Sequence, residues 1–502
     1  MPLGAYGAAG LAGLGGLGPG LDLDVLGAGR SSGGGAKRPL LLAQHQGNYA
    51  GAHGAYSAGA GRSLLAAQFM SEALRQQLQQ YNYLVQSQWV PGADEPALPE
   101  VVGPYHTLYP LEDLAAAEEH PSAALGVRTA VIKGISGHDG QPTALRRVDG
   151  KQVLPSGELL SNARQAVEQW SAVSGHPGLV CPRDVFVTAD LDGSPSLVMT
   201  HPYHPGAATL AQAHLMPTQT ASGQLVRNSP NENVLWSYAI QLSAALRAVH
   251  AAGLAVRPAC LSPSKVLVLP LGRLRIGSLG VVEALGGDVA LGGEELLQAQ
   301  RDDVMAMGQL LLTLACSAGG VAVPNLDFAA AHFSPDFVRM LALLLGTGEG
   351  GAFSWRHMAA LTGERMMAEV DALAGFNDHL VSDLAKEMEN GRLLRLLIKL
   401  GFINERPEGD VMNHWSETGD RYLLKLFRDF VFHQADAEGA PRLDWGHVVE
   451  ALNKLDAGVQ EQVLLLSRDE QSMLVASYAD IKRCIETSFA ELRAAGTRTG
   501  SR

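Results

Sequence analysis

Residues Val249 to Val281 read VHAAGLAVRPACLSPSKVLVLPLGRLRIGSLGV. Upstream, Val234, Leu235, Tyr238, Leu242, Ala245, Leu246 and Val249 recur at helical spacing, so a long helix leads into the stretch. A short loop then reaches Pro263-Ser264-Lys265. Two strand-like runs follow and end at Ser278-Leu279-Gly280. No carboxylate stands at Cys260, Lys265 or Ser278, the three positions on which the chemistry of such an arrangement depends.

That order of elements resembles the catalytic centre of a protein kinase. There the Asp of His-Arg-Asp is the catalytic base, the Asn of Pro-x-Asn holds one magnesium ion, and the Asp of Asp-Phe-Gly holds the other. Here Pro263-Ser264-Lys265-Val266-Leu267-Val268 falls on Pro-x-Asn-Ile-Leu-Leu, so Lys265 replaces the Asn. Counting back puts Cys260 in the place of the base, and Ser278-Leu279-Gly280 falls on Asp-Phe-Gly. Phosphoryl transfer is not expected of this chain. An atypical active kinase would need relocated acids, for which Glu283 and Asp288 are the candidates.

The length of 502 residues allows two or three domains. The net charge of -13 argues against a broad nucleic-acid footprint. Cys181, Cys260, Cys316 and Cys484 are widely separated, with no CxxC or Cys/His cluster, so neither a zinc site nor a disulfide framework is expected and a reducing compartment fits. Val304 to Val323 carries no charge, but Gln309, Thr313 and Ser317 interrupt it and Pro324 closes it; a buried core helix is expected rather than a membrane span. The N-terminus has no early basic region and does not read as a signal peptide.

Residues 1 to about 62 are Gly/Ala-rich and read as disordered. Ser63 suits the cap of a helix through residue 90, either a partner-binding segment or one packed on its own domain. Pro91 to Pro104 reads as a linker. From Tyr105 to Trp355 the elements follow kinase order. Val127–Ile135 and Thr143–Val148 are strand-like around a turn, Glu158–Val173 is helical, and Val185–Val187 and Ser196–Thr200 are strand-like, with His201 to Pro205 as a hinge between lobes. Asp303 to Gly308 resembles the Asp-x-Trp-x-x-Gly of the buried central helix of a kinase, whose Asp caps a helix and orders the catalytic loop. Gly126 and Gly134 are too far apart for a phosphate-covering glycine loop.

Met366, Val370, Leu373, Asn377, Leu380 and Leu384 make a heptad with Asn377 at an a position, the device that favours a two-stranded parallel coil. A helix packed on its own globular domain is the alternative. After Gly391 the chain is dense and helical in texture, with Tyr422, Leu423, Leu426, Phe427, Phe430 and Val431 on one face, and holds no nucleophile with its base.

NGRLLRLLIKLGFINERPE, WSETGDRYLLKLFRDFVFHQ and LNKLDAGV strongly resemble the C-terminal knob of the regulatory subunit of the poly(A)-nuclease deadenylation complex. VLWSYAIQLSAALRAVHAAGLA and HTLYPLEDL resemble the pseudokinase region of that family. The resemblance implies an α+β, bilobal kinase-like fold over 105–355, a coiled coil over 356–392 that makes a homodimer, and a compact, mainly helical knob over 393–502; the region to residue 104, outside the resemblance, reads from composition as disordered apart from the helical segment at 63–90. It implies a non-catalytic scaffold that docks a catalytic poly(A) exonuclease subunit and binds poly(A)-binding protein. The mRNA poly(A) tail would be met indirectly, in the cytoplasm and its P-bodies, with no membrane partner.

The resemblance also implies ATP bound without phosphoryl transfer. Arg146 in Ala144-Leu145-Arg146-Arg147 takes the place of the strand lysine that meets the phosphates, as a guanidinium can. Pro202, Tyr203, His204, Pro205, Gly206, Ala207, Ala208 and Thr209 fall on the adenine and ribose segment. Ser264 and Lys265 fall on the family's Thr-Lys pair, with the ammonium in place of magnesium. Surface salt bridging by Arg146 and a solvated Lys265 are the plain alternatives. The N-terminal zinc finger of some relatives is not expected, since no cysteine precedes Cys181, and no poly(A)-binding-protein motif is assigned. A nucleotide-sensing module sharing only the fold is the remaining reading.

Overall fold

The computed structural model describes residues 69–92, 96–219, 225–286, 291–317, 323–347, 353–405, 420–436, 438–467 and 471–499. The Gly/Ala-rich stretch to residue 62, the Ser63 cap and Asp288 lie outside these residues. The described chain falls into two compact units. One runs from Leu78 to Ala372; the other comprises residues 69–77 and the chain from Leu373 onward.

In the first unit, helix α1 (Glu72–Gln86, whose first residues fall in the second unit) is shorter than the expected helix through residue 90. A six-stranded antiparallel sheet follows, in the order β1-β2-β3-β4-β6-β5. Its strands are β1 (Val101–Val102), β2 (Tyr105–Pro110), β3 (Thr129–Ser136), β4 (Pro142–Val148), β5 (Asp184–Thr188) and β6 (Ser196–Pro202). The end of the expected linker thus pairs as β1 with β2. Helix α2 (Leu114–Glu119) sits in the β2–β3 connection, its N-terminus capped by the Asp113 carboxylate. Helix α3 (Gly157–Ser171) begins at Ser156, whose hydroxyl accepts from Leu159 N at 3.0 Å, and buries Leu159, Ala163, Ala166 and Trp170.

The lower lobe opens with a short strand, β7 (Ala208–Thr209), and a single turn of π-helix (Ala211–Leu215). Two-residue strands β8 (Thr218–Gln219) and β9 (Leu225–Val226) follow. Helix α4 (Glu232–Ala251) is the expected long helix, started by the Asn231 side chain accepting from Val234 N. Strands β10 (Val266–Leu269) and β11 (Arg273–Ile276) form a hairpin, and β7 pairs with β10. Helices α5 (Val281–Gly286), α6 (Gly293–Cys316), α7 (Leu326–His332) and α8 (Pro335–Leu344) complete it. From Val304 to Cys316 every residue of α6 but Met305, Gln309 and Thr313 is buried, as the uncharged run requires, and among the described residues no helix is long and apolar enough to cross a membrane.

Asp303 does not start that helix. Ten residues of α6 precede it, so it acts from mid-helix. Fully buried, its carboxylate accepts from Val256 N and Arg257 N at 2.7 Å and faces His250 Nε2 at 2.9 Å. The loop-ordering role survives; the capping role does not.

Helix α9 (Trp355–Asn404) runs unbroken across the expected coil-to-knob boundary. In the second unit its last turns pack Leu393, Leu396, Leu400 and Ile403 against α10 (Asp420–Phe432), α11 (Trp445–Ala457) and α12 (Tyr478–Thr499). Between α11 and α12 the helical expectation fails. Gln462–Leu466 (β12) and Met473–Ser477 (β13) form an antiparallel hairpin. Gly458 in the left-handed region ends α11, and alternate burial of Val463 and Leu465 then follows the period of a strand.

Candidate nucleotide cleft

Residues directly opposite in an antiparallel sheet share a face, as do alternate residues of one strand. Arg146 on β4 lies opposite Val131 and Met199; two residues earlier, Ala144 lies opposite Lys133 and His201; Lys133 also lies opposite Tyr109. Tyr109, Lys133, Ala144, Arg146 and His201 therefore share one sheet face. The buried His201 ring meets the Leu279 carbonyl through Nε2 at 3.2 Å, which turns that face toward the degenerate loop and makes it the roof of the cleft.

Arg146 and Lys265 come together. Lys265 is only 8% exposed; burial, with the Arg146 guanidinium second, pushes its ammonium down to about 8. Burial also lowers Arg146, opposed by the nearby Glu112 carboxylate. Arg146 reaches Thr129 Oγ1 at 3.4 Å, and among the described residues neither cation has an ion-pair partner within salt-bridge distance. Two cations held close, with Glu112 near both but outside salt-bridge distance, are poised for an anion. The surface salt bridge for Arg146 and the solvated loop for Lys265 are both excluded by this geometry. Sequence reasoning missed Glu112, which lies in the β2–β3 connection rather than near Gly126 or Gly134. That connection, with α2 inside it, occupies the place of a glycine loop.

The three carboxylate positions are chemically silent. Cys260 is fully buried and its thiol donates to the Ser278 carbonyl at 3.4 Å; burial pushes the thiol well above the usual range, so it is no base. Ser278 adopts φ 60°, and its buried hydroxyl has no hydrogen-bond partner among the described residues. Glu283, the relocated-acid candidate within the described residues, is 6% exposed, stands 4.0 Å from Arg257 Nε, and is raised to about 7 by burial. No group of three or more His, Cys, Asp or Glu able to hold a metal occurs among the described residues.

The hinge begins later than expected, because His201 and Pro202 still belong to β6. Tyr203 is raised to about 12 by burial and by the nearby Tyr109. His204 is held down to about 4 by burial, then by Arg275, Arg273 and Arg183, and its Nε2 is buried without a partner. Gly206 takes φ +72°, open to glycine and strained for other residues. Ala208 and Thr209 pair with Val268 and Leu267, and Thr209 is engaged by Gln212. Ser264 is exposed and meets only Ser262 Oγ, at 3.2 Å, so it does not join Arg146 and Lys265 as expected of a Thr-Lys pair. Lys133, fully buried on the roof, was also missed, although a lone lysine in the apolar run TAVIKGIS was its visible signal.

A family model described as the Pan3 C-terminal knob domain matches residues 356–492. The chain is 40% identical over 440 residues to the PAN2-PAN3 deadenylation complex subunit pan3 of Dictyostelium discoideum, covering 86% of this chain and 56% of that protein. It is 38% identical over 450 residues to the subunit PAN3 of Homo sapiens, covering 85% of this chain and 50% of that protein. The solved Drosophila melanogaster PAN3 pseudokinase superimposes with a TM-score of 0.65 at 38% identity, over 79% of this chain and 100% of that one. The chain belongs to the PAN3 family. A Neurospora crassa PAN3 (pseudokinase and C-term) solved in complex with PAN2 (WD40-CS1) gives a TM-score of 0.69 at 30% identity, over 84% of this chain and 100% of that one. The chain spans about half the length of the curated PAN3 relatives it matches. The PAN3 knob match begins inside α9, so the knob as the family has it includes the heptad.

Proposed function

We propose that this chain is the non-catalytic regulatory subunit of a cytoplasmic, P-body-associated deadenylation complex. In this reading it homodimerises through α9, docks a poly(A) exonuclease by its knob, and brings that enzyme to mRNA coated with poly(A)-binding protein. The observation that carries the proposal is family identity extending from the degenerate cleft through the knob, at 38% or more over most of the chain. Dimerisation is supported by Val370, Leu373 and Leu384, apolar heptad residues left 57–71% exposed on one chain, with Asn377 also exposed between them.

ATP binding is part of the proposal. Arg146 and Lys265 would meet the phosphates and the hinge from Tyr203 to Thr209 the adenine and ribose, with Lys265 balancing charge where a kinase uses magnesium. Bound there, the nucleotide would act as a structural ligand and not as a phosphoryl donor. Support comes from the buried pairing of two cations under the roof, with Glu112 as the nearby carboxylate and beyond salt-bridge distance. The purified chain is expected to elute as a dimer, to retain a poly(A) exonuclease subunit, and to bind an ATP analogue with magnesium chelated. Val370→Glu with Leu384→Glu is expected to give monomers with weakened exonuclease retention. A wild-type monomer at micromolar concentration, or no nucleotide bound at millimolar ligand, would overturn the corresponding element.

A further inference from the structure

The end of α1 and the residues after it lie across the adenine end of the cleft. Lys133 on the roof is fully buried, and its ammonium donates to the Val85 carbonyl at 2.8 Å and to the Ser87 carbonyl. Those carbonyls close the last turn of α1, so a cation from β3 satisfies a helix C-terminus. Burial without a carboxylate partner pushes this ammonium down to about 8. Trp89 N donates to the Leu108 carbonyl at 2.8 Å, and its ring meets Tyr109 edge-on with centroids 5.7 Å apart. At the other end of the crossing, Tyr81 Cε1 and Leu84 Cδ1 lie 3.5 and 3.9 Å from where a Cβ on Gly206 would sit. The span from Gly206 on the hinge to Lys133 and Tyr109 on the roof is therefore bridged by one segment. Arg146 and Lys265, at the phosphate end, make no hydrogen bond to it.

We propose that residues 81–89 form a cis-acting strap that closes the adenine end of the cleft and that a purine nucleotide must displace. The inference rests on the nucleotide reading above and adds its regulation. The strap is built to release: α1 has no buried residue of its own, and the roof lysine can exchange two carbonyls for a ligand acceptor. While the strap is closed, apparent affinity is reduced by the fraction of open molecules. Any partner that holds α1 away from the cleft would raise nucleotide affinity by the same factor, and nucleotide would raise affinity for that partner.

Hydrogen exchange of the full chain, followed by mass spectrometry, tests the strap in two steps. Without nucleotide, Lys133→Met and, separately, Trp89→Ala should speed exchange of the amides at Ser87 and position 89 by tenfold or more. Trp89→Ala leaves the roof intact and covers the case in which Lys133→Met does not fold. Unchanged exchange in a folded variant overturns the strap outright. With an ATP analogue and no magnesium, the wild type should lose protection at 83–90 as it gains protection at 262–266, and Trp89→Ala, which keeps the roof lysine, should bind roughly tenfold tighter. Protection gained at 262–266 with none lost at 83–90, or equal affinity of Trp89→Ala and the wild type, overturns the gate and leaves nucleotide binding standing. No binding by variants whose strap exchange shows to be open overturns the nucleotide reading, and the gate with it.

Discussion

Lys265 shows how a single side chain redirects a kinase-like cleft. An Asn at this place would bring magnesium; a buried ammonium brings its own charge. Its lowered pKa, about 8, makes that charge titratable. Below pH 8 the ammonium is present and phosphate is attracted; above it the proton is lost and the attraction with it. Nucleotide affinity of the wild type is therefore expected to fall by about fivefold to tenfold between pH 7.5 and pH 9, because one proton is linked to binding over that range. In Lys265→Arg the guanidinium stays charged, so the fall should be smaller, with Lys133, also lowered to about 8, the group that still titrates. Fluorescent-analogue titration at each pH checks both; a flat wild-type profile would show that Lys265 does not meet the ligand. The Lys-for-Asn exchange was legible from sequence. Its pairing with Arg146 and Glu112 was not, because the three lie on separate elements.

At the scale of elements, α6 and α8 show why the Asp303-to-Gly308 spacing matters. Asp303 ties the loop at Val256 and Arg257 to the core, while Gly308 lets α8 cross closely. A Cβ at Gly308 would stand 2.9 Å from Leu344 Cβ and 3.3 Å from the Leu344 carbonyl carbon, so the helices would have to separate. Overpacking of this kind costs about 1–3 kcal/mol, against a gain of at most about 1 kcal/mol from replacing glycine by alanine in a helix. Gly308→Ala is expected to lower stability, seen as a reduced urea midpoint with the slope unchanged; an equal or higher midpoint would mean the crossing is looser than described. Helical period revealed α4 and the heptad of α9. It failed at β12 and β13, where a Leu-rich run between two helices fits either period, and the hairpin becomes visible only when Gly458 ends α11 and alternate residues face the core.

At the scale of the molecule, the cleft and the knob divide the work. The cleft retains a roof, a hinge and two cations, and lacks every acid of the transfer reaction; the family model matches residues 356–492, on the side of the knob. With labelled ATP and magnesium, the purified chain should show no autophosphorylation above that of the Lys265→Ala, Arg146→Ala double variant. Incorporation that the double variant loses would revive an active kinase working through Glu283.

By itself, the sequence was sufficient for the kinase-like order, the missing acids, the heptad and the family, because each is written in residues close together along the chain. Only the tertiary structure decided that Asp303 acts from mid-helix, that Ser264 stands apart from Arg146 and Lys265, and that residues 81–89 bridge roof and hinge. Those facts depend on which strands pair and which faces they share. Lys133 in its apolar strand was a visible oddity, but its meaning appears only once the end of α1, 46 to 48 residues earlier in the chain, is laid across it.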